Sequence, residues 1–112
     1  ELNRAALPGV SFVPIRFTPT YSVHKDKLCG GVYIMLNDRN ACNVVDVGLQ
    51  IARTLGQLYP REFPLDKIKH LLLHAPTLEA VKGNKPLNEI RAAWKADLDE
   101  FAKRREKFLI YK

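Results

Sequence analysis

Phe17 to Arg39 reads FTPTYSVHKDKLCGGVYIMLNDR, and the rest of the chain is organised around it. Pro19, Ser22, His24, Lys25, Cys29, Gly30-Gly31 and Asp38-Arg39 are set around the apolar run Val32-Tyr33-Ile34-Met35-Leu36, after a preceding stretch that alternates. That is the composition of a polar loop held between two strands. The run from Gly30 to Asn37 is too short for a core helix and is bounded by Gly-Gly and Asn-Asp, so it reads as a central strand. Upstream, Val13, Ile15 and Phe17 alternate with Phe12, Pro14 and Arg16, giving a half-buried strand over Val10 to Phe17. Pro14 cannot donate to a ladder, which places this strand at an edge or a bulge and suits a boundary with another domain.

Downstream, Asn37 to Asn43 is turn chemistry, with a brief pairing of Val44-Val45 expected after it. Asp46 then stands where a helix N-cap belongs, and Val47, Ile51, Leu55 and Leu58 form one stripe of a helix that Pro60 stops. Leu65 to His74 reads as a second helix with Leu65, Ile68, Leu72 and Ala75 facing inward. Thr77 caps a one-turn helix ending at Gly83, in the left-handed cap position. Pro86 begins a last helix from about Leu87 to Lys107, with Leu87, Ile90, Trp94, Leu98, Phe101 and Phe108 at helical spacing. Phe108 to Tyr111 closes the chain either as a short strand or as a packed tail. The expected fold is α+β: a small sheet covered by helices, with a long C-terminal helix, in a single domain over residues 1–112.

The 112 residues suffice for one domain that buries roughly two-thirds of its unfolded surface without staples. Apolar content of 46% and charge of 27% are those of a globular protein, and no apolar run approaches the ~20 residues of a membrane span. The start at Glu1-Leu2-Asn3 reads as a point inside something longer. A net charge of +6 raises nucleic acid as a partner. The densest basic run, Lys103-Arg104-Arg105, is flanked by Asp97, Asp99, Glu100 and Glu106, which makes a solvated helix face, and no nucleic acid is expected. Cys29 and Cys42 are either bridged across a hairpin or two buried free thiols.

Candidate chemistry is sparse. His70 and His74 at i and i+4 have zinc-ligand spacing, but Lys67 shares their face and Leu71 stands where the zinc-protease motif needs a glutamate, so no metal is expected. Cys29 with His24 lacks the helix N-terminus that activates a thiolate. Gly30-Gly31 lacks phosphate-loop spacing, and reads instead as a bulge or a place of close approach. Only Asp26 and Asp38 are available as a hydrolytic pair in the central stretch, and Asp38 reads better as closing a turn or pairing with Arg39. No cofactor is called for.

Leu7-Pro8-Gly9-Val10, Phe17-x-Pro19-Thr20-x-Ser22, Lys27-Leu28-Cys29-Gly30-Gly31-Val32 and Asn37-Asp38-Arg39 occur in this order. Together with Gly48, Leu58-Tyr59-Pro60, Gly83-Asn84, the Ile90 to Trp94 segment and the closing Phe101, Arg105 and Leu109-Ile110-Tyr111, they resemble the C-terminal domain of the bacterial exo-β-N-acetylmuramidases. Val23, Met35 and Leu78-Glu79 depart from that pattern, where a basic residue, a His and a Phe-Asp pair are common. The resemblance implies a two-domain, extracytoplasmic (periplasmic or secreted) enzyme that removes N-acetylmuramic acid from the non-reducing end of peptidoglycan fragments. It implies that the catalytic Glu belongs to an N-terminal Rossmann-like domain outside this chain, so that the fragment alone is inactive and supplies a wall of the sugar cleft. Thr18, Pro19, Thr20, Ser22, Lys25, Cys29 and Gly30 are the expected substrate-binding residues, with Lys25 meeting the lactyl carboxylate. A non-catalytic interaction module, docking along the Pro14 strand or the basic last helix, is the alternative.

Overall fold

Strands β1 (Val10–Phe17) and β2 (Cys29–Leu36) pair antiparallel, from Val10 opposite Leu36 to Phe17 opposite Cys29. The computed structural model describes residues 1–111. The fold is α+β: this two-stranded sheet and four helices, α1 (Val44–Leu58), α2 (Lys69–Leu72), α3 (Ala75–Lys82) and the long α4 (Leu87–Glu106). The chain divides into two compact units, Glu1–Thr54 and the part from Leu55 onward. Among the described residues no helix is long and apolar enough to cross a membrane.

In the first unit the ladder runs without a break, so neither Pro14 nor Gly30-Gly31 makes the bulge that the sequence suggested. Opposite residues in an antiparallel pair share a face, which puts Phe17 diagonally beside Gly31. A Cβ on Gly31 would lie 2.8 Å from the Phe17 ring, so the glycine makes room for that ring over β2. Pro14 costs the ladder nothing. The Gly9 carbonyl accepts from the Asn37 amide at 2.8 Å, and bonding alternates along the strand, so residues 11, 13, 15 and 17 face β2 while 10, 12, 14 and 16 turn their backbone groups outward. Asn3 confirms the parity: its side-chain amide donates to the Phe12 carbonyl and its oxygen accepts from the Phe12 amide, both at 2.8 Å.

Strand β2 is not central. Among the described residues only β1 pairs with it, and its continuous apolar run, which resembles a strand buried on both faces, lies open. Phe12 and Leu49 are the buried apolar residues of this unit. Helix α1 starts at Val44, so Val44-Val45 form its first turn and not a strand. Its N-cap is Asn43, whose Oδ1 accepts from the Val45 and Asp46 amides at 3.1 and 3.2 Å; Asp46 sits three residues in. The buried residues of α1 are Asp46, Leu49, Gln50 and Thr54, whereas Leu58 is exposed and Val47, Ile51 and Leu55 are half-buried. Gln50 donates to Thr54 Oγ1 at 3.0 Å, which lets these two polar side chains be buried.

In the second unit the expected Leu65–His74 helix is broken. A 3-10 turn at Leu65–Ile68 leads into the single turn of α2, and Leu73 takes a left-handed φ of 50°. A Cβ on Gly56 would lie 2.7 Å from Leu65 Cδ1, so that glycine lets the 3-10 turn close against the end of α1. His74 then caps α3, and Ala75 is exposed, not inward. Thr77 lies inside α3, which spans two turns. Gly83 has φ −74°, and Asn84, at φ 55°, holds the left-handed position. The Lys85 amide reaches back to the Ala80 carbonyl and the Asn84 amide to Val81, a Schellman closure. Leu78, Val81 and Ile90 are the buried apolar residues here, while Leu98 and Phe101 further along α4 are exposed. Phe108 to Tyr111 forms no strand.

Candidate functional site

The segment from Thr18 to Leu28 joins the two strands and carries most of the expected site. Three of its non-glycine residues, Ser22, His24 and Asp26, have positive φ of 66°, 61° and 60°. Each costs about 1–2 kcal/mol, so the chain holds this shape only because bonds within the loop fix it. The Asp26 amide donates to the Pro19 carbonyl at 2.9 Å, closing the base; within that clasp the Lys25 amide donates to the Ser22 carbonyl at 3.3 Å, and just past it the Lys27 amide donates to the His24 carbonyl at 3.0 Å. Alternating left-handed residues inside a clasp produce a defined loop out of a sequence with no glycine between Phe17 and Cys29.

Thr18, Thr20, Ser22 and Lys25 are exposed on this loop, and Pro19 is half-buried. Lys25 Nζ lies 3.9 Å from Asp26 Oδ2, an exposed and weak ion pair that leaves the ammonium available. Cys29 opens β2, half-buried, and its Sγ donates to the Lys27 carbonyl at 3.4 Å. Gly30 follows it, exposed, with nothing within 4 Å of where a Cβ would stand. The loop thus gathers the Thr18, Thr20 and Ser22 hydroxyls, the Lys25 and Lys27 ammonium groups and a glycine-sized opening at one end of the hairpin. Such an arrangement offers donors and acceptors to a polar ligand, and within the loop no nucleophile is poised by a base.

The other candidates fall away on geometry. Asp38 closes the turn at the opposite end of the hairpin, its Oδ1 accepting from the Asn40 and Ala41 amides at 2.9 and 3.3 Å. Eight strand residues separate that turn from the Asp26 loop, about 24 Å of chain, against the ~5–9.5 Å that two glycosidase carboxylates need. Cys29 and Cys42 are both free thiols. Cys42 packs near Gly9, at the Asp38 end, so the two cannot reach the ~7 Å Cα limit for a bridge. His70 and His74 no longer share a helix face, because Leu73 breaks the helix between them. Among the described residues no group of three or more His, Cys, Asp or Glu could hold a metal. On α4, Arg104 lies 5.7 Å from the Phe101 ring centre and Lys95 pairs with Asp99 at 2.7 Å, as on a solvated helix face.

A polar network absent from the sequence reading ties α3 to α4. Trp94 Nε1 donates to Thr77 Oγ1 at 2.8 Å, and that hydroxyl lies 2.7 Å from His74 Nδ1. The Thr77 amide also donates to Nδ1, at 3.3 Å. An indole N–H can only donate, so the threonine accepts it and turns its own proton to His74. His74 Nδ1 is therefore an acceptor and its proton sits on Nε2. Thr77 is buried within the second unit and its network is structural, not part of the loop.

A family model described as "Exo-beta-N-acetylmuramidase NamZ, C-terminal" matches residues 1–111. The peptidoglycan β-N-acetylmuramidase NamZ of Bacillus subtilis is 33% identical over 98% of this chain and 27% of its own length. The crystal structure of a DUF1343 family protein from Bacteroides fragilis superposes with a TM-score of 0.71 at 26% identity, over 99% of this chain and 31% of that one. The chain therefore spans less than a third of the length of these relatives.

Proposed function

The chain belongs to the C-terminal family of the exo-β-N-acetylmuramidase NamZ, and on that premise we propose that it forms one wall of the substrate cleft of a larger glycoside hydrolase. That enzyme releases N-acetylmuramic acid from the non-reducing end of peptidoglycan fragments, outside the cytoplasm. Its catalytic carboxylate comes from an N-terminal Rossmann-like part of the polypeptide. The separation of Asp26 from Asp38 by the length of the hairpin supports a catalytic group outside this chain.

The clasped loop is the observation that carries the reading. A sugar presents many hydroxyl and amide groups, and a wall that meets them needs donors and acceptors held in fixed positions. Thr18, Thr20 and Ser22 supply hydroxyls, Pro19 an apolar surface, and Cys29 and Gly30 the floor where the loop enters β2. Muramic acid differs from glucosamine by a lactyl carboxylate, and Lys25, one of two exposed lysines in the loop, is assigned to meet it. The exposed Val23 adds no charge to the loop, and of its two exposed lysines, Lys25 and Lys27, Lys25 is the one assigned to the anion.

Lys25→Ala in the full-length enzyme tests this. A charge-assisted hydrogen bond is worth about 1.5–3 kcal/mol, so KM for a muramyl substrate is expected to rise on the order of tenfold or more while a glucosaminyl substrate is unaffected. Equal indifference of both substrates to the change would remove Lys25 from the site.

A further inference from the structure

The two edges of the sheet are not alike. On β1 the outward backbone groups of Phe12 are taken by the Asn3 side chain, Pro14 has no N–H to offer, and Arg16 carries a charge. These are devices by which proteins close an edge to further pairing. The same alternation that turns even-numbered β1 residues outward turns the N–H and C=O of Gly30, Val32, Ile34 and Leu36 away from β1. Among the described residues no hydrogen bond occupies these groups. Strand β2 reads CGGVYIML, without proline or charge, and its residues from Val32 to Leu36 are 43–60% exposed.

An isolated two-stranded sheet is marginal in water, and an open, uncharged edge strand invites another strand. The chain spans 27% of one relative's length and 31% of another's, and its family model is the C-terminal one. We propose that the outer edge of β2 receives a β-strand from the N-terminal part of the longer polypeptide, extending the sheet by strand addition. This rests on the reading of a two-part enzyme given above, and it names the surface on which the parts join. The added strand lies about 4.8 Å from β2, and one end of it passes Gly30. Strand addition thus brings the N-terminal part to the base of the Thr18–Leu28 loop, where the cleft requires it.

Residue-resolved hydrogen exchange on the full-length protein without substrate tests the proposal. The amides of Gly30, Val32, Ile34 and Leu36 are expected to be slowed on the order of 100-fold or more, like those of Gly31, Tyr33 and Met35 that face β1. Fast exchange at the four even positions beside protection at the odd ones would overturn it. So would protection that appears only as the protein dimerises with rising concentration, which assigns the edge to a second copy. Val32→Pro is expected to abolish protection of the outer amides, while Arg16→Pro, facing outward on β1, leaves them protected; should Val32→Pro not fold, the unsubstituted protein still decides. No substrate is present, so an enzyme of different specificity gives the same exchange result, and failure of the functional reading is separable from failure of the edge.

Discussion

Gly9→Ala should be among the most damaging single substitutions in the first unit. Gly9 has φ +71°, and a Cβ there would fall on the Asp38 carbonyl oxygen, within 2.9 Å of the Cys42 amide nitrogen and 3.1 Å of Cys42 Cβ. Backbone cannot swing aside as a side-chain tip can. The left-handed conformation costs alanine about 1–2 kcal/mol. Relieving the overlap means moving the Asp38 turn, where the Gly9 carbonyl accepts from both Asn37 and Asp38 and the Cys42 amide donates to Asp38. Loss of one or two of those bonds adds roughly 1 kcal/mol each. The sum, on the order of 3 kcal/mol, is a large share of a domain's ~5–15 kcal/mol. Gly30→Ala is the control, because its Cβ meets nothing within 4 Å, and it should change stability by no more than about 1 kcal/mol. Urea unfolding followed by far-UV circular dichroism reads both, with a midpoint lowered by about 1–3 M for Gly9→Ala alone at the m-value of a small protein. A Gly9→Ala loss below about 1 kcal/mol, or an equal loss for Gly30→Ala, would refute the account of this turn.

Thr77→Val should cost about 1–3 kcal/mol in unfolding free energy by leaving the Trp94 indole and His74 Nδ1 without their shared hydroxyl, and Thr77→Ser should recover much of it. Asn43→Ala, removing the cap of α1, should lower stability by about 1 kcal/mol, whereas Asn43→Asp should be close to neutral in the same urea titration. Lys82 Nζ donates to Asp66 at 3.0 Å and to Glu79 at 3.3 Å, and these hydrogen bonds raise its pKa above the ordinary 10.5. A lysine whose pKa rises on folding stabilises the fold fully below 10.5 and loses that contribution as pH climbs through the folded value. Lys82→Gln should therefore lower the thermal midpoint slightly at neutral pH and differ from the parent progressively less as the pH is taken well past 10.5.

The hairpin was legible because its signals are local. Alternation marks β1, a bounded apolar run marks β2, and Asn-Asp-Arg marks the turn that Asp38 closes. The role of β2 was not legible, since an apolar run looks the same whether its edges are paired or open. Helix α1 shows in the sequence, but its buried stripe does not: Asp46, Gln50 and Thr54 are polar, and the Gln50–Thr54 hydrogen bond that makes burial of those two tolerable exists only in three dimensions. Asn43 and Asp46 are both good capping residues, and sequence gave no means of choosing between them. The break at Leu73 did have a signal. Pro76 lacks the N–H that a helix running on from Leu65 would use, so it fits only near a helix start, as it does in α3. In the loop, Ser22, Lys25 and their neighbours were named from composition and family pattern, while the left-handed residues that fix their positions depend on the clasp from Pro19 to Asp26. Asn3 had no signal at all, because its pairing with Phe12 exists only once the chain has folded back.

The most direct test of a cleft wall completed by another part of the same polypeptide is release of N-acetylmuramic acid from a β-linked chromogenic substrate, comparing residues 1–112 with the full-length protein. Release by the full-length protein alone is the predicted result. Release by residues 1–112 would contradict it, since the carboxylate would then have to come from within this chain.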